Sequence, residues 1–238
     1  MHCPICGFTR FKDRGKRVNA KCVHCGAMER TRLMYLVLKT LDLLKPGMRI
    51  LHIAPERGLI KIFSELSPIK YHPCDINPQS YTNDFCTVFP IDLCKDLEKL
   101  PRECFDLIVH NHVLEHLPCS VENILKQFTQ ILKPEGTHLF TVPIRVGKTD
   151  EDISENLTDE DRTERFGQYD HLRIFGTEDF IPMLQKLWDT DEVYIKNSDL
   201  LTIETYERAA LPTKKFNTIS EATIFYQSPA RKIPLQYS

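Results

Sequence analysis

The chain has 238 residues, enough for one full domain plus at most a small module, and enough to bury a sizeable core. Apolar residues (42%) and charged residues (27%) stand near globular averages, which argues against disorder. The longest apolar run, Leu33 to Leu38, falls far short of the roughly 20 residues of a membrane helix. A net charge of −2 excludes a global field that would draw the chain to nucleic acid or to a membrane.

Charge is unevenly spread. Residues 1–32 carry eight Lys/Arg against two acids, so the excess positive charge sits in one short stretch. The same stretch holds Cys3, Cys6, Cys22 and Cys25, as CPIC…CVHC. Each two-residue gap lets one tight turn supply two thiolates, and four thiolates close a zinc tetrahedron. Gly7 and Gly26 follow the pairs, where a turn needs positive φ. The segment between them reads as a short hairpin, and residues 1–29 as a zinc ribbon whose ion is structural. Free or redox-active thiols are the competing reading. The basic residues, interleaved with Phe8 and Phe11, suit phosphates or RNA, or else form a solvated face; the solvated face is favoured. The other five cysteines are scattered. An odd total, with no apolar core in MHCPICGFTR, suggests a reducing, cytoplasmic setting and argues against export.

Residues 30–238 read as the second unit. Arg30 to Leu44 has apolar positions 33, 34, 37, 38, 41 and 44, a helical period stopped by Pro46-Gly47. Strands are predicted at 48–54, 70–76, 87–92, 105–111 and 137–143, with late strands at 193–196 and 222–227. Helices are predicted at 58–66, at 121–132 capped by Ser120, and at 177–187 capped by Thr177. Residues 147–170 are polar and acidic, without apolar period, and read as a loop within an insertion or lid at 147–176. The acidic residues of 150–161 read as a solvated face rather than a metal site. The tail after Ser228 is expected to be mobile. The alternation implies an α/β fold: a Rossmann-like, seven-stranded, mostly parallel sheet with ligands beyond the carboxyl ends of its strands.

Those strand ends carry HIAPERG, CDIN, IDLC and HNHVLEHL. A tight turn opening a helix, and an acid at the end of the second strand, suit a nucleotide-like cofactor. HIAPERG lacks Gly-x-Gly-x-x-Gly, which disfavours a dehydrogenase. With RILHIAPERG, CDI, PIDL, FDLIVHNHVLEHL, ILKPEG and HLFTVPI, the chain resembles the class I S-adenosylmethionine (SAM)-dependent methyltransferases. It is also similar to a bacterial subgroup with a four-cysteine N-terminal module, through CGAMERTR and FGQYDHLRIFG. The resemblance implies that Ala54, Pro55, Glu56 and Gly58 line the methionine part of SAM. It places Asp75 on the ribose, Ile76 against adenine, Asp92 at the adenine amine and Leu93 on the ring. Asn111 and His112 would lie under the sulfonium or the substrate.

The family's first motif usually has an acid in the strand and three spaced glycines. Here His52 replaces the acid, Ala54 and Glu56 replace two glycines, and Gly58 remains. Glu56 is therefore expected to supply the lost carboxylate near the SAM amino group, or else to interact with a helix dipole. Asp75 and Asp92 could alternatively cap turns. HVLEH also fits an inverted zinc-protease motif, with His112 and His116 as ligands and Glu115 as base. That needs one continuous helix, which the preceding strand and Pro118 disfavour; Glu115 and His116 are expected instead to pack near the cofactor loop. In FGQYDHLRIFG, Asp170, His171 and Arg173 are candidate substrate residues, with Arg173 for an anionic group and an Asp–Arg surface pair as the alternative. His112 or His171 could act as general base for a hydroxyl acceptor. The expected activity is methyl transfer to a small-molecule or saccharide-type acceptor. An RNA methyltransferase that uses the basic ribbon, or a non-catalytic SAM- and zinc-binding module, are the alternatives.

Overall fold

The computed structural model describes residues 1–82 and 85–228, so the tail expected to be mobile lies outside the described residues. Strands β1 (Phe11–Arg14) and β2 (Arg17–Cys22) form the hairpin expected between the cysteine pairs. Helix α1 (Glu29–Thr40) follows and buries Leu33, Met34, Val37 and Leu38, one stripe at helical spacing. The chain then alternates through β3 (Ile50–Ile53), α2 (Arg57–Leu66), β4 (Tyr71–Asp75), β5 (Phe89–Pro90) and α3 (Leu93–Asp96). It continues through β6 (Phe105–Asn111), α4 (Val121–Ile131) and β7 (Leu132–Thr141). Next come β8 (Ile144–Arg145), β9 (Asp150–Glu151), α5 (Asp159–Phe166) and β10 (Arg173–Gly176). The last elements are α6 (Phe180–Trp188), β11 (Tyr194–Ile195), α7 (Asn197–Leu200), α8 (Ile203–Arg208) and β12 (Ile224–Gln227).

The seven-stranded sheet has the order β11-β12-β7-β6-β3-β4-β5. Strands β7 to β5 in that order are parallel, and β12 and β11 pair antiparallel at one end. This is the Rossmann-like, mostly parallel sheet expected from the sequence. The chain leaves β3 toward β4 and β5, then returns to lay β6 and β7 on its other side. The crevice at the carboxyl ends of β3 and β6 is therefore the switch point at which such sheets bind ligands. The pleat divides the core in two. Leu51, Ile53 and Ile108 join the helices α4 and α6 on one face. Ile50, Leu107 and Val109 join α1, α2 and α8 on the other.

Three local readings need correction. Strand β7 begins at Leu132, so LKPEG belongs to the strand rather than ending a helix. Gly136 makes this possible: a Cβ there would sit 2.9 Å from the Phe105 carbonyl oxygen, at a register break between β6 and β7. Residues 147–170 are not structureless. They contain α5, started by a Thr158–Asp161 capping box and ended by left-handed Gly167. Only Arg162 and Phe166 of α5 are buried, too few to make an apolar period visible. The following helix starts at Phe180, and Asp179 there accepts hydrogen bonds from Thr149 instead of capping it. In addition Cys94 and Cys119, two of the five scattered cysteines, form a disulfide between the start of α3 and the turn before α4.

Candidate active site

The four cysteines of the ribbon converge. Cys3 Sγ lies 3.6 Å from Cys25 Sγ, and Cys6 Sγ 3.6 Å from Cys22 Sγ. Zinc–sulfur bonds of about 2.3 Å in a tetrahedron put sulfurs about 3.8 Å apart, so the donor set fits such an ion. Around it the apolar packing is slight: Cys3, Cys22 and Ala27 are buried, with Ile5, Phe8 and Phe11 against them. The ribbon sits directly on the loop after β3. A Cβ on Gly58 would lie 2.9 Å from Ala27 Cβ and 3.2 Å from Ile5 Cδ1. Gly58 thus permits close approach of the ribbon, and the space above it is protein rather than an opening for a ligand.

At the end of β3 the chain turns at Ala54, whose φ is +48°. A non-glycine residue there costs on the order of 1 kcal/mol, the price of a bend that the family's glycine would make freely. His52 is buried beneath the turn. Burial pushes its pKa down to about 3, so it is neutral and does not replace the missing acid. Its Nε2 accepts from the Glu56 N–H at 3.4 Å, which leaves Nδ1–H facing the Tyr71 hydroxyl at 2.8 Å. The turn is thus fixed from below by an imidazole bridge.

Glu56 stands at the N-terminus of α2 without capping it through its side chain. Its Oε1 accepts from Arg30 Nε at 3.1 Å and Thr31 Oγ1 at 2.8 Å, and its Oε2 from Asn111 Nδ2. Asn111 Oδ1 in turn accepts from Thr141 Oγ1 at 2.9 Å. The carboxylate that was expected to await an amino group is already engaged by α1 and β6. This network was invisible in the sequence, although ERTR directly after the cysteine module was its one available signal.

Asp75, at the end of β4, accepts from the Asn77 N–H and the Tyr81 hydroxyl, both at 2.7 Å. The turn-capping role is therefore real, and the carboxylate remains half-buried at the carboxyl edge. Its neighbour Ile76 is 73% exposed, an apolar side chain standing free beside it. Asp92 caps α3 by accepting from the Cys94 N–H at 2.9 Å and pairs with Lys95 at 2.7 Å. Leu93 is buried in the core below.

His112 follows Asn111 in a left-handed conformation, φ +54°. Its Nδ1 is 3.1 Å from Glu115 Oε1, and its Nε2 3.3 Å from the Glu221 carbonyl oxygen. It lines a cleft with Arg17, Arg30, Leu33, Tyr206 and Lys215, between the ribbon, α1 and the segment after α8. The helix required by the inverted zinc-protease motif is absent, since a single 3-10 turn spans Leu114–His116.

His171 and Arg173 do not reach that cleft. His171 is buried, with Nδ1 3.1 Å from the Phe166 carbonyl, and burial holds its pKa below the usual imidazole range. Arg173 is 1% exposed and donates to Glu151 and, at 2.6 Å, to the Leu114 carbonyl. Asp170 lies 3.4 Å from His116, so the expected Asp–Arg surface pair is also replaced. These residues clamp the insertion to the turn after β6. Arg173→Ala is accordingly expected to speed proteolysis within 150–172 by about tenfold or more, since the buried Leu114 carbonyl loses a charged donor worth about 1.5–3 kcal/mol. Limited proteolysis checks this, and unchanged cleavage would return Arg173 to the acceptor-binding candidates.

A family model described as a methyltransferase domain matches residues 27–186. Among solved structures, the chain is similar to a SAM-dependent methyltransferase from Archaeoglobus fulgidus, with TM-score 0.52 and 16% identity over 83% of this chain and 94% of that one. It is similar to another from Mesorhizobium loti, with TM-score 0.52 and 13% identity over 80% of this chain and 96% of that one. At these identities the likeness carries the fold alone. No curated protein matches the sequence. Among the described residues, no helix is long and apolar enough to cross a membrane.

Proposed function

Because the chain belongs to the family of methyltransferase domains, we propose that it transfers a methyl group from SAM to a small-molecule or saccharide-type acceptor, with a structural zinc ion held by Cys3, Cys6, Cys22 and Cys25. The observation that carries this reading is the carboxyl edge of β3, β4 and β6. There Asp75, exposed Ile76, the Ala54–Glu56 turn and Asn111 stand around the switch-point crevice, and the His112 cleft opens beside it. When bound, SAM supplies a methyl group already activated on a sulfonium.

The chain's own residues then have few tasks. Asp75 accepts the ribose hydroxyls, with Tyr81 holding its carboxylate in place. Ile76 offers an apolar face to adenine. Glu56, fixed by Arg30, Thr31 and Asn111, keeps negative charge at the amino-acid end. The cleft brings Arg17, Arg30 and Lys215 beside Glu29 and Glu221, with Leu33 and Leu211 between. Such mixed lining suits a small polar acceptor. Aligning that acceptor and excluding water supplies most of the catalysis in an in-line displacement. For a hydroxyl acceptor, His112 is the base that faces the cleft, whereas buried His171 does not.

Calorimetry with SAM and S-adenosylhomocysteine on zinc-replete full-length protein tests the cofactor, and labelled methyl transfer to small-molecule and RNA fractions of an extract tests the acceptor. Asp75→Ala is expected to weaken SAM binding by at least about tenfold, roughly 1.4 kcal/mol, with little change in melting temperature. Absence of binding at millimolar SAM, or equal binding by wild type and Asp75→Ala, would overturn the reading. Label appearing in the RNA fraction alone would move the acceptor to RNA.

A further inference from the structure

The turn after β6 holds a carboxylate that the proposed methyl transfer does not use. Glu115 is fully buried, and neither of its carboxylate oxygens makes a hydrogen bond. A buried carboxylate without a hydrogen bond is costly, so a compensating cation is the natural expectation. No arginine or lysine supplies one among the described residues, because the adjacent Arg173 is committed to Glu151 and the Leu114 carbonyl. What surrounds Glu115 is imidazole. His112 Nδ1 lies 3.1 Å and His171 Nε2 3.9 Å from Oε1. The His116 ring packs edge-on against His171, with centroids 4.8 Å apart. One donor atom each from Glu115, His116 and His171 lies within 4.8 Å of the others.

We propose that Glu115, His116 and His171 form a binding site for a divalent transition-metal ion, with Asp170 as a fourth donor. Two imidazoles and a carboxylate suit zinc, manganese or iron(II) rather than calcium or magnesium. Bonds of about 2.0–2.2 Å place tetrahedral donors about 3.4 Å apart, so the cluster needs a modest contraction. Asp170 Oδ2 is already 3.4 Å from His116 Nδ1. The close approach of His112 Nδ1, 3.1 Å from Glu115 Oε1, makes no hydrogen bond, so both carboxylate oxygens remain open to an ion. His116 is half-buried, which leaves the ion an approach from solvent. The site differs from the protease-like arrangement: here Glu115 is a ligand, and His171, 55 residues beyond His116 in the chain, replaces His112. Its ligands come from both the turn after β6 and the insertion, so the ion would pin the insertion beside the His112 cleft. None of this depends on methyl transfer.

The test uses full-length protein with its cysteine site saturated with zinc. Manganese(II) is then titrated and followed by electron paramagnetic resonance, since thiolates compete poorly for it; a second equivalent of zinc is titrated by calorimetry in parallel. The expected result is about one additional ion per chain, with nitrogen coupling from imidazole in the manganese spectrum. His116→Ala, at a partly exposed position and with its melting temperature measured alongside, is expected to weaken that binding at least tenfold. Glu115→Gln is expected to abolish it. Absence of an additional ion of either metal at submillimolar concentration, or equal binding by wild type and His116→Ala, would overturn the proposal.

Discussion

Replacing Arg32 with methionine is expected to destabilise the protein by about 3–5 kcal/mol, a large share of the roughly 5–15 kcal/mol that holds a typical domain folded. Arg32 is fully buried, and each of its five N–H donors has a partner. Nε donates to the Ala209 carbonyl at 2.8 Å. Nη1 donates to those of Ala20 and Ala27, both at 3.0 Å. Nη2 donates to those of Asn19 and Ala210, at 3.0 and 2.7 Å. Asn19 and Ala210 are both left-handed, with φ of +55° and +56°, which turns their carbonyls toward one guanidinium. The Phe11 ring covers its face at 4.8 Å. One side chain therefore joins the ribbon, α1 and the segment after α8. Methionine restores the volume and avoids desolvating a charge, but takes the guanidinium from five carbonyls, of which that of Ala27 keeps the Cys22 N–H at 2.9 Å. Lysine should do nearly as badly, since three donors on a point charge cannot span the five acceptors. Thermal unfolding should show a midpoint lower by about 10 °C, at 2–4 °C per kcal/mol for a chain of this size. Hydrogen exchange should rise together at 19–28 and 209–211. A change below about 1 kcal/mol would show that the clasp is dispensable.

Stripping metal from the cysteine site is expected to unfold residues 1–28 while the central sheet stays folded. The ribbon's apolar packing is too small to fold unaided, whereas a structural zinc site supplies an apparent 10–16 kcal/mol at neutral pH. The loss should not stay local. Ala27 and Ile5 press on Gly58, and Arg30 and Thr31 just beyond hold Glu56. Chelation, or Cys22→Ser, should therefore weaken SAM binding by about tenfold or more as the Ala54–Glu56 turn loosens. Hydrogen exchange and calorimetry on chelated protein check both halves. Continued protection of residues 1–28 without metal would mean that the thiols fold the ribbon by themselves.

Much of the architecture was legible because it is written locally. Continuous apolar runs such as β3 and β6, buried on both faces, alternate with helices of period 3.6, so the α/β class and the parallel sheet could be read directly. The grouping of the four cysteines was legible for a similar reason, since two Cys-x-x-Cys pairs within 25 residues place four thiols on two tight turns. Reading failed where burial was sparse or the partner was distant. α5 buries only two side chains, and β7 enters through LKPEG by virtue of one glycine.

What the linear chain determined about this protein is the strands and flanking helices of its central sheet, its two cysteine pairs and the strand ends at which chemistry would gather. Tertiary structure alone decided how the charges there are used. Arg32 meets carbonyls 177 and 178 residues away, Glu56 meets Asn111 across the switch point, and Arg173 turns inward to Leu114. The reason is electrostatic: a buried charge is tolerable only where folding brings its partners, and those partners follow from topology rather than from neighbouring sequence.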